Sequence, residues 1–192
     1  MTKYEAGSAV GWVALIVVCA LFVGSSTSLT ATHNKTRGIP PNICSLIATK
    51  YPDWRLLKVS DLFDADQKLW KEARGEACPG FTEGMFKSTS KKSYFCLVVP
   101  KAQPAKSNSF VVKLLFVEAN ERGGVVASEI QSDGPIPNSP VIWRMPPGEL
   151  EDIESGKKVK SQHDFLILEY MESSSQAFYW DGVQFVSIAY TT

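Results

Sequence analysis

A run of sixteen uncharged, mostly apolar residues, 9–24, divides this chain into two parts. Lys3 precedes the run and small polar residues follow it, which is the order of regions in a secretory signal. An uncleaved anchor is the alternative, because a helix over residues 9–24 would be roughly 24 Å long and a few further residues would extend it to the ~30 Å of a bilayer core. Residues 1–28 are therefore predicted to be a signal peptide or a membrane anchor, and the rest of the chain to be exported.

The exported part is expected to hold one folded domain. Residues 29–41 are rich in serine, threonine, glycine and proline and show no apolar periodicity, which predicts a linker. Residues 42–192 are enough for one domain with its own core and too few for two of ordinary size.

The charge balance argues against some partners. The chain carries 20 basic and 20 acidic side chains, and the segment before the apolar run contributes one of each, Lys3 and Glu5. The exported part is therefore neutral and has no overall field to attract nucleic acid. Contact with a membrane is expected only through residues 9–24, if they are not removed.

Three cysteines follow the apolar run, and in an oxidising compartment an odd number predicts one disulfide and one free thiol. Cys96 lies within the apolar segment 94–99, which is typical of a buried small hydrophobic residue. Cys44 and Cys78 are therefore the predicted pair, and such a bridge would contribute roughly 3 to 4 kcal/mol by the loop-entropy argument. A bridge between Cys78 and Cys96 stays open as the alternative.

Two helices are expected near the start of the domain. Asn42 is predicted to cap a short one that ends before Pro52. The second places five apolar side chains on one stripe: Leu62, Phe63, Leu69, Trp70 and Ala73. Asp64 followed by Gln67 has the form of a capping box at its start. This helix is predicted to lie across a sheet with Trp70 facing inward.

Strands are expected over most of the remaining chain. Residues 94–99 and 110–117 are continuous apolar runs, which predict central strands covered on both faces. Further strands are predicted at 54–59, 125–130, 141–145 and 165–171.

Two hairpins are expected after residue 148. Asp181-Gly182 between two apolar segments predicts a two-residue turn, which sets Trp180 opposite Val183 and Phe178 opposite Phe185. Acidic residues before Gly156 and lysines after it predict a second hairpin in which opposite charges face each other.

No motif for a particular reaction is present. His163-Asp164 has no serine elbow or cysteine signature to supply a nucleophile. Asp61, Asp64 and Asp66 lack the spacing and the glycine of a calcium loop, so they are interpreted as helix-start acids. The cysteines and His163 lack the close spacing of a structural zinc site. Neither a metal, a cofactor nor a catalytic residue is therefore expected.

Short motifs in a characteristic order carry a resemblance over roughly residues 51–190. They are Trp70, Cys78-Pro79-Gly80-Phe81, the segment 141–148, Glu154-Ser155-Gly156-Lys157, His163-Asp164, and Tyr179-Trp180-Asp181-Gly182 with Phe185. In this order they resemble a group of small exported bacterial proteins of uncharacterised function. The resemblance implies export and a single domain, and it implies no substrate.

Together these patterns predict an α+β domain over residues 42–192, an antiparallel β-sheet with one main helix packed on it, preceded by an N-terminal hydrophobic helix. The expected function is a non-catalytic binding or interaction module of the cell envelope, periplasmic or extracellular, whose partner is another envelope or extracellular protein. Tyr170, Tyr179 and Trp143 are candidates for its contact patch. The alternative is a small secreted hydrolase that uses His163 with nearby carboxylates.

Overall fold

Two antiparallel β-sheets pack face to face in a computed structural model, which describes residues 38–104 and 108–191. Eleven strands lie in this part of the chain, in the order β1 Trp54–Leu56, β2 Phe81–Gly84, β3 Ser93–Pro100, β4 Phe110–Ala119, β5 Val125–Ile136, β6 Pro140–Met145, β7 Gly148–Glu151, β8 Lys158–Ser161, β9 Phe165–Tyr170, β10 Ser174–Trp180 and β11 Phe185–Tyr190. The helices are α1, Pro41–Lys50, and α2, Asp64–Arg74, with a 3-10 turn at Val59–Asp61 between β1 and α2.

The first sheet has the order β1-β3-β4-β5, and β2 pairs with β3 beside β1. The second has the order β11-β10-β9-β6, and β7 with β8 forms a separate hairpin. All the strand pairs are antiparallel. Adjacent strands in the second sheet are therefore joined by direct turns, except where the β7–β8 hairpin is inserted between β6 and β9.

The fold class predicted from the sequence, α+β with one main helix on the sheet, is wrong. Strands take up 46% of the described residues and helices 16%. The face of the first sheet that a main helix would cover packs against the second sheet instead. The apolar stripe on α2 buries too little surface to cover that face, because Trp70 is buried whereas Leu69 is 43% exposed. The predicted inward position of Trp70 is confirmed.

The N-terminal hydrophobic helix, residues 1–28 as signal peptide or anchor, and the linker up to residue 37 lie outside the described residues. No helix within residues 38–104 and 108–191 is long and apolar enough to cross a membrane.

Strands β3 and β4 are buried on both faces. Phe95, Leu97 and Val99 of β3 face the second sheet, whereas Cys96 and Val98 belong to the cluster beneath α1. The even residues 110–116 of β4 face the second sheet in the same way, whereas Leu115 and Val117 pack in the cluster beneath α1. The prediction of two central strands from continuous apolar runs is confirmed. A third apolar cluster lies on the other face of the second sheet, where the β7–β8 hairpin contributes Val159.

The helix starts differ from the predicted caps. Helix α1 begins at Pro41, with Pro40 in the cap position and no side-chain cap, so Asn42 lies inside the helix. Proline fits the first helical position because its missing N–H needs no partner there. In α2 the Gln67 amide donates to the carbonyl oxygen of Leu62 at 2.9 Å. The expected capping box with Asp64 is absent from the start of α2.

The predicted register of the last hairpin is wrong. Trp180 lies opposite Phe185, so residues 181–184 form a four-residue loop instead of a two-residue turn. The Asp181 carboxylate causes this, because its Oδ1 accepts hydrogen bonds from the N–H groups of Val183 and Gln184, both at 2.8 Å. The side chain of Val183 is consequently 82% exposed.

The charged hairpin is confirmed. Glu149 lies opposite Lys160 and Glu151 opposite Lys158, and Lys158 Nζ lies 3.1 Å from Glu149 Oε1 on the diagonal. These exposed pairs favour the register and contribute little to stability.

Phe95→Ala is expected to lower the free energy of unfolding by about 3 to 5 kcal/mol. The Phe95 ring is fully buried and contacts the rings of Phe86, Phe116 and Phe185 at centroid distances of 4.8, 5.2 and 5.1 Å. Urea denaturation measures the change. Val183→Ala is the control and should change the free energy of unfolding by less than about 0.5 kcal/mol. Equal effects of the two substitutions would contradict the two-sheet core.

Candidate functional site

A groove of about 510 Å³ lies between α2 and strands β6 and β9. Its apolar lining comprises Leu69, Trp70, Val141, Trp143 and Met171. Three charged residues complete it, one positive and two negative: Arg74, Glu169 and Glu172. The volume lies within the range of ligand sites in proteins, which combine an apolar lining with a few polar groups. A second hollow of about 480 Å³ is lined only by residues of α2 itself and has no opposite wall.

Hydrogen bonds fix α2 beside β6 at both of its ends. At the start, the N–H of Phe63 donates to the Ser139 hydroxyl at 3.0 Å. Beyond the end, the Trp70 indole N–H donates to the Ala77 carbonyl oxygen at 2.8 Å. The N–H of Ile142 in turn donates to the Pro79 carbonyl oxygen at 2.9 Å. The two walls of the groove are therefore held in place without a ligand.

Trp143 is the central residue of the groove. Its indole N–H donates to Glu169 Oε2 at 2.9 Å across the neighbouring strands β6 and β9. The guanidinium carbon of Arg74 lies 4.4 Å from the centroid of the Trp143 ring, a cation–π contact. Three separate elements thus bring an aromatic ring, a cation and a carboxylate together.

The polar contacts of the Arg74 guanidinium differ from those of other half-buried arginines. Among the described residues, none accepts a hydrogen bond from it or lies within ion-pair distance of it. Two other half-buried arginines have carboxylate partners. Arg55 donates to both carboxylate oxygens of Asp61, at 2.6 and 2.8 Å, and Arg144 lies 3.4 Å from Asp164. Burial lowers the pKa of Arg74, and the negative charge of Glu169 opposes that shift. An arginine stays protonated despite such a shift.

The turn between β9 and β10 forms the rim of the groove. Glu172 in this turn has φ +61°, a left-handed conformation that costs a non-glycine residue roughly 1 to 2 kcal/mol. A hydrogen bond from the Ser173 N–H to the Tyr170 carbonyl oxygen, at 2.9 Å, closes the turn. Strained residues of this kind often lie at functional sites.

The three candidate patch residues lie in different places. Trp143 lies in the groove. The Tyr170 hydroxyl donates to Asp133 Oδ2 at 2.6 Å, and burial raises its pKa, so it joins β9 to β5. Tyr179 is half-buried, with its ring centroid 6.3 Å from that of Phe165. The structure therefore does not bring these residues together in one patch.

Asp164 joins the two sheets. It is 3% exposed, its Oδ2 accepts a hydrogen bond from the Met85 N–H at 2.7 Å, and its own N–H donates to the Met85 carbonyl oxygen at 3.2 Å. Gly84 is needed for this approach, since a Cβ there would lie 2.8 Å from Asp164 Oδ2. His163 is half-buried, and its Nδ1 has no hydrogen-bond partner among the described residues. Neither residue lines the groove.

The acidic residues near α2 are held by ordinary contacts. Asp61 is buried, pairs with Arg55, and also accepts a hydrogen bond from the Lys58 N–H at 2.8 Å. Asp64 and Asp66 lie in the first turn of α2, which confirms their interpretation as helix-start acids, whereas Asp61 ends the preceding 3-10 turn. Within the described ranges, no three His, Cys, Asp or Glu side chains are grouped to hold a metal ion.

The three cysteines among the described residues are free thiols: Cys44 is exposed, Cys78 half-buried and Cys96 buried. The buried position of Cys96 confirms its interpretation as a core residue. Cys78 Sγ donates a hydrogen bond to the Leu57 carbonyl oxygen at 3.3 Å. The bridge between Cys44 and Cys78, and the alternative between Cys78 and Cys96, stay predictions.

Comparison of the chain with protein-family models, with characterised proteins and with solved structures finds no match in any of the three. The resemblance carried by the short motifs therefore stays a prediction.

Alkylation of the reduced, folded chain by iodoacetamide is expected to modify Cys44 first, Cys78 more slowly, and Cys96 only after unfolding. Burial raises the pKa of both Cys78 and Cys96, so their reactive thiolates form only at a higher pH than in an ordinary cysteine. Peptide mass spectrometry over time measures the order. Modification of Cys96 as fast as Cys44 in the native state would contradict the described packing beneath α1.

Glu172→Asn is expected to raise the free energy of unfolding by about 0.5 to 1 kcal/mol, because asparagine adopts the left-handed conformation at lower cost. Urea denaturation measures the change. Glu154→Asn replaces an exposed acid that has no positive φ and serves as the control. A loss of stability in Glu172→Asn would show that the turn is not strained.

Proposed function

We propose that this protein is a non-catalytic binding module of the cell envelope, which holds part of another envelope or extracellular protein in the groove between α2 and strands β6 and β9. The observation that carries the proposal is the contact between Trp143 and Arg74, whose guanidinium has no acceptor for its donors within residues 38–104 and 108–191. Tryptophan and arginine are the residues that most often contribute large binding energies at protein interfaces.

The rigidity of the groove supports binding. Both ends of α2 are attached to the segment around β6, through Ser139 and Pro79. A site whose walls are already in place loses little conformational entropy when a partner binds. The exposed side chain of Leu69 and the buried Met171 give the partner an apolar surface between the charged residues.

Export is the second part of the proposal, and it rests on residues 9–24. Their order of a basic residue, an apolar run and small polar residues is that of a secretory signal. The neutral charge of the remaining chain fits a protein partner better than a nucleic acid.

The hydrolase alternative has less support. A base in a hydrolase needs a neighbouring group to orient it and a nucleophile within reach. The Asp164 Oδ2 atom is already bonded to the Met85 N–H and lies near Arg144. The free Nδ1 of His163 is the one observation that favours this alternative.

Crosslinking in intact cells tests the binding function. A photo-crosslinking amino acid at Leu69, at the groove, is expected to capture an envelope protein, whereas the same amino acid at Val111 of β4 is not. Both positions are exposed to a similar extent, 43% and 41%, so accessibility does not distinguish them. Mass spectrometry of the envelope fraction identifies the product.

Trp143→Ala is expected to abolish the crosslink from Leu69, and Trp143→Phe to weaken it. Circular dichroism shows whether each variant is folded. Equal products from Leu69 and Val111, or an unchanged product in folded Trp143→Ala, would contradict binding through the groove.

A further inference from the structure

We propose that the groove recognises an acidic side chain of its partner, whose carboxylate binds the Arg74 guanidinium while neighbouring apolar side chains pack against Leu69 and Met171. The inference rests on the proposed function and adds the chemistry of the partner to it.

The N–H groups of the Arg74 guanidinium have no acceptor in the described part of the chain. A guanidinium has five N–H groups in a fixed planar arrangement that matches the two oxygens of a carboxylate. The contact with Trp143 engages the charge of Arg74 and none of those donors. Arg74 is thus held in place on the ring, and its donors are available to a ligand.

Leaving those donors unpaired has a free-energy cost. Arg74 is half-buried, and removing a charged donor from water without a partner is unfavourable. Arg55 and Arg144 are half-buried as well, and each has a carboxylate within 3.4 Å. A carboxylate from a partner would give Arg74 the interaction that the other two arginines already have.

Glu169 lies close enough to Arg74 to raise its pKa by its negative charge, although the two side chains form no ion pair. Its Oε2 accepts the indole N–H of Trp143 at 2.9 Å, and this bond holds the carboxylate on the indole side. Glu169 therefore orients the ring that carries Arg74 and does not itself pair with the guanidinium.

The two glutamates limit which acidic group fits. Because Glu169 and Glu172 line the same groove as Arg74, a phosphate dianion or a pair of acidic residues would face repulsion from two negative charges. A single carboxylate flanked by uncharged apolar residues meets the favourable charge of Arg74 with the smallest repulsion. A cationic side chain is the competing occupant, but Arg74 already covers the ring face that it would need.

Binding of three peptides to the full chain in detergent micelles tests the inference. The probes are acetyl-Leu-Glu-Leu-amide, its isosteric Gln version and its Lys version. Two-dimensional NMR follows the indole N–H of Trp143 and the Nε–H of Arg74 during titration. The Glu peptide is expected to shift both signals and to bind at least about tenfold more tightly than the Gln peptide, as a charge-assisted hydrogen bond predicts.

Three variants separate the contributions. Arg74→Gln is expected to abolish the preference for Glu over Gln, whereas Arg122→Gln, an exposed arginine between β4 and β5, leaves it unchanged. Glu169→Gln keeps an oxygen acceptor for the Trp143 indole and removes the negative charge. It is expected to strengthen binding of the Glu peptide, whereas a site for cations would lose affinity for the Lys peptide.

Equal affinity for the Glu and Gln peptides, a preference that survives Arg74→Gln, preferred binding of the Lys peptide, or no shift with any peptide would each overturn the inference. The crosslink from Leu69 is an independent measurement. If it depends on Trp143 while the peptides show no preference for Glu, the carboxylate inference fails and the binding function stands. If the crosslink fails and the Glu preference holds, the function must be revised and the chemistry of the groove stands.

Discussion

Burial of β3 and β4 on both faces is the constraint on which the rest of the structure depends. Phe95 and Leu97 pack against the second sheet, while Cys96 and Val98 pack beneath α1. Because a strand pair of this kind must be covered on both sides, the second sheet cannot be replaced by solvent or by one helix. Its position also brings β6, and with it Trp143, beside α2.

The groove is a product of that packing at the edge of the second sheet. Helix α2 contributes one buried apolar anchor, Trp70, and its residues Leu69, Ala73 and Arg74 form a wall of the groove. Arg74 at the end of the helix reaches the ring of Trp143, which Glu169 orients through the indole N–H. A few hydrogen bonds between backbone and side chains are enough to hold this arrangement, because the large aromatic core fixes the strands behind the groove.

Local patterns in the sequence predicted the strands and not the way in which they assemble. The apolar runs at 94–99 and 110–117 predicted β3 and β4 because burial on both faces leaves no polar positions. The predicted fold class was wrong because apolar periodicity indicates that a helix forms but not how much of a sheet the helix covers. The predicted register of the last hairpin was wrong because hydrogen bonds to the Asp181 side chain lengthen the loop. Arg74, Trp143 and Glu169 come from three elements, and only the tertiary fold places them together.

Gly84 shows how closely the two sheets approach each other. Its missing side chain lets the carboxylate of Asp164 reach the backbone of Met85, and a methyl group there would also lie 2.8 Å from a ring carbon of Phe86 and 2.9 Å from Cδ of Arg144. Even an alanine at this position would require the Asp164 carboxylate, the Phe86 ring and the Arg144 side chain to move. The corner where β2 meets β6 therefore favours glycine, although Gly84 lies in an ordinary strand and no turn requires it.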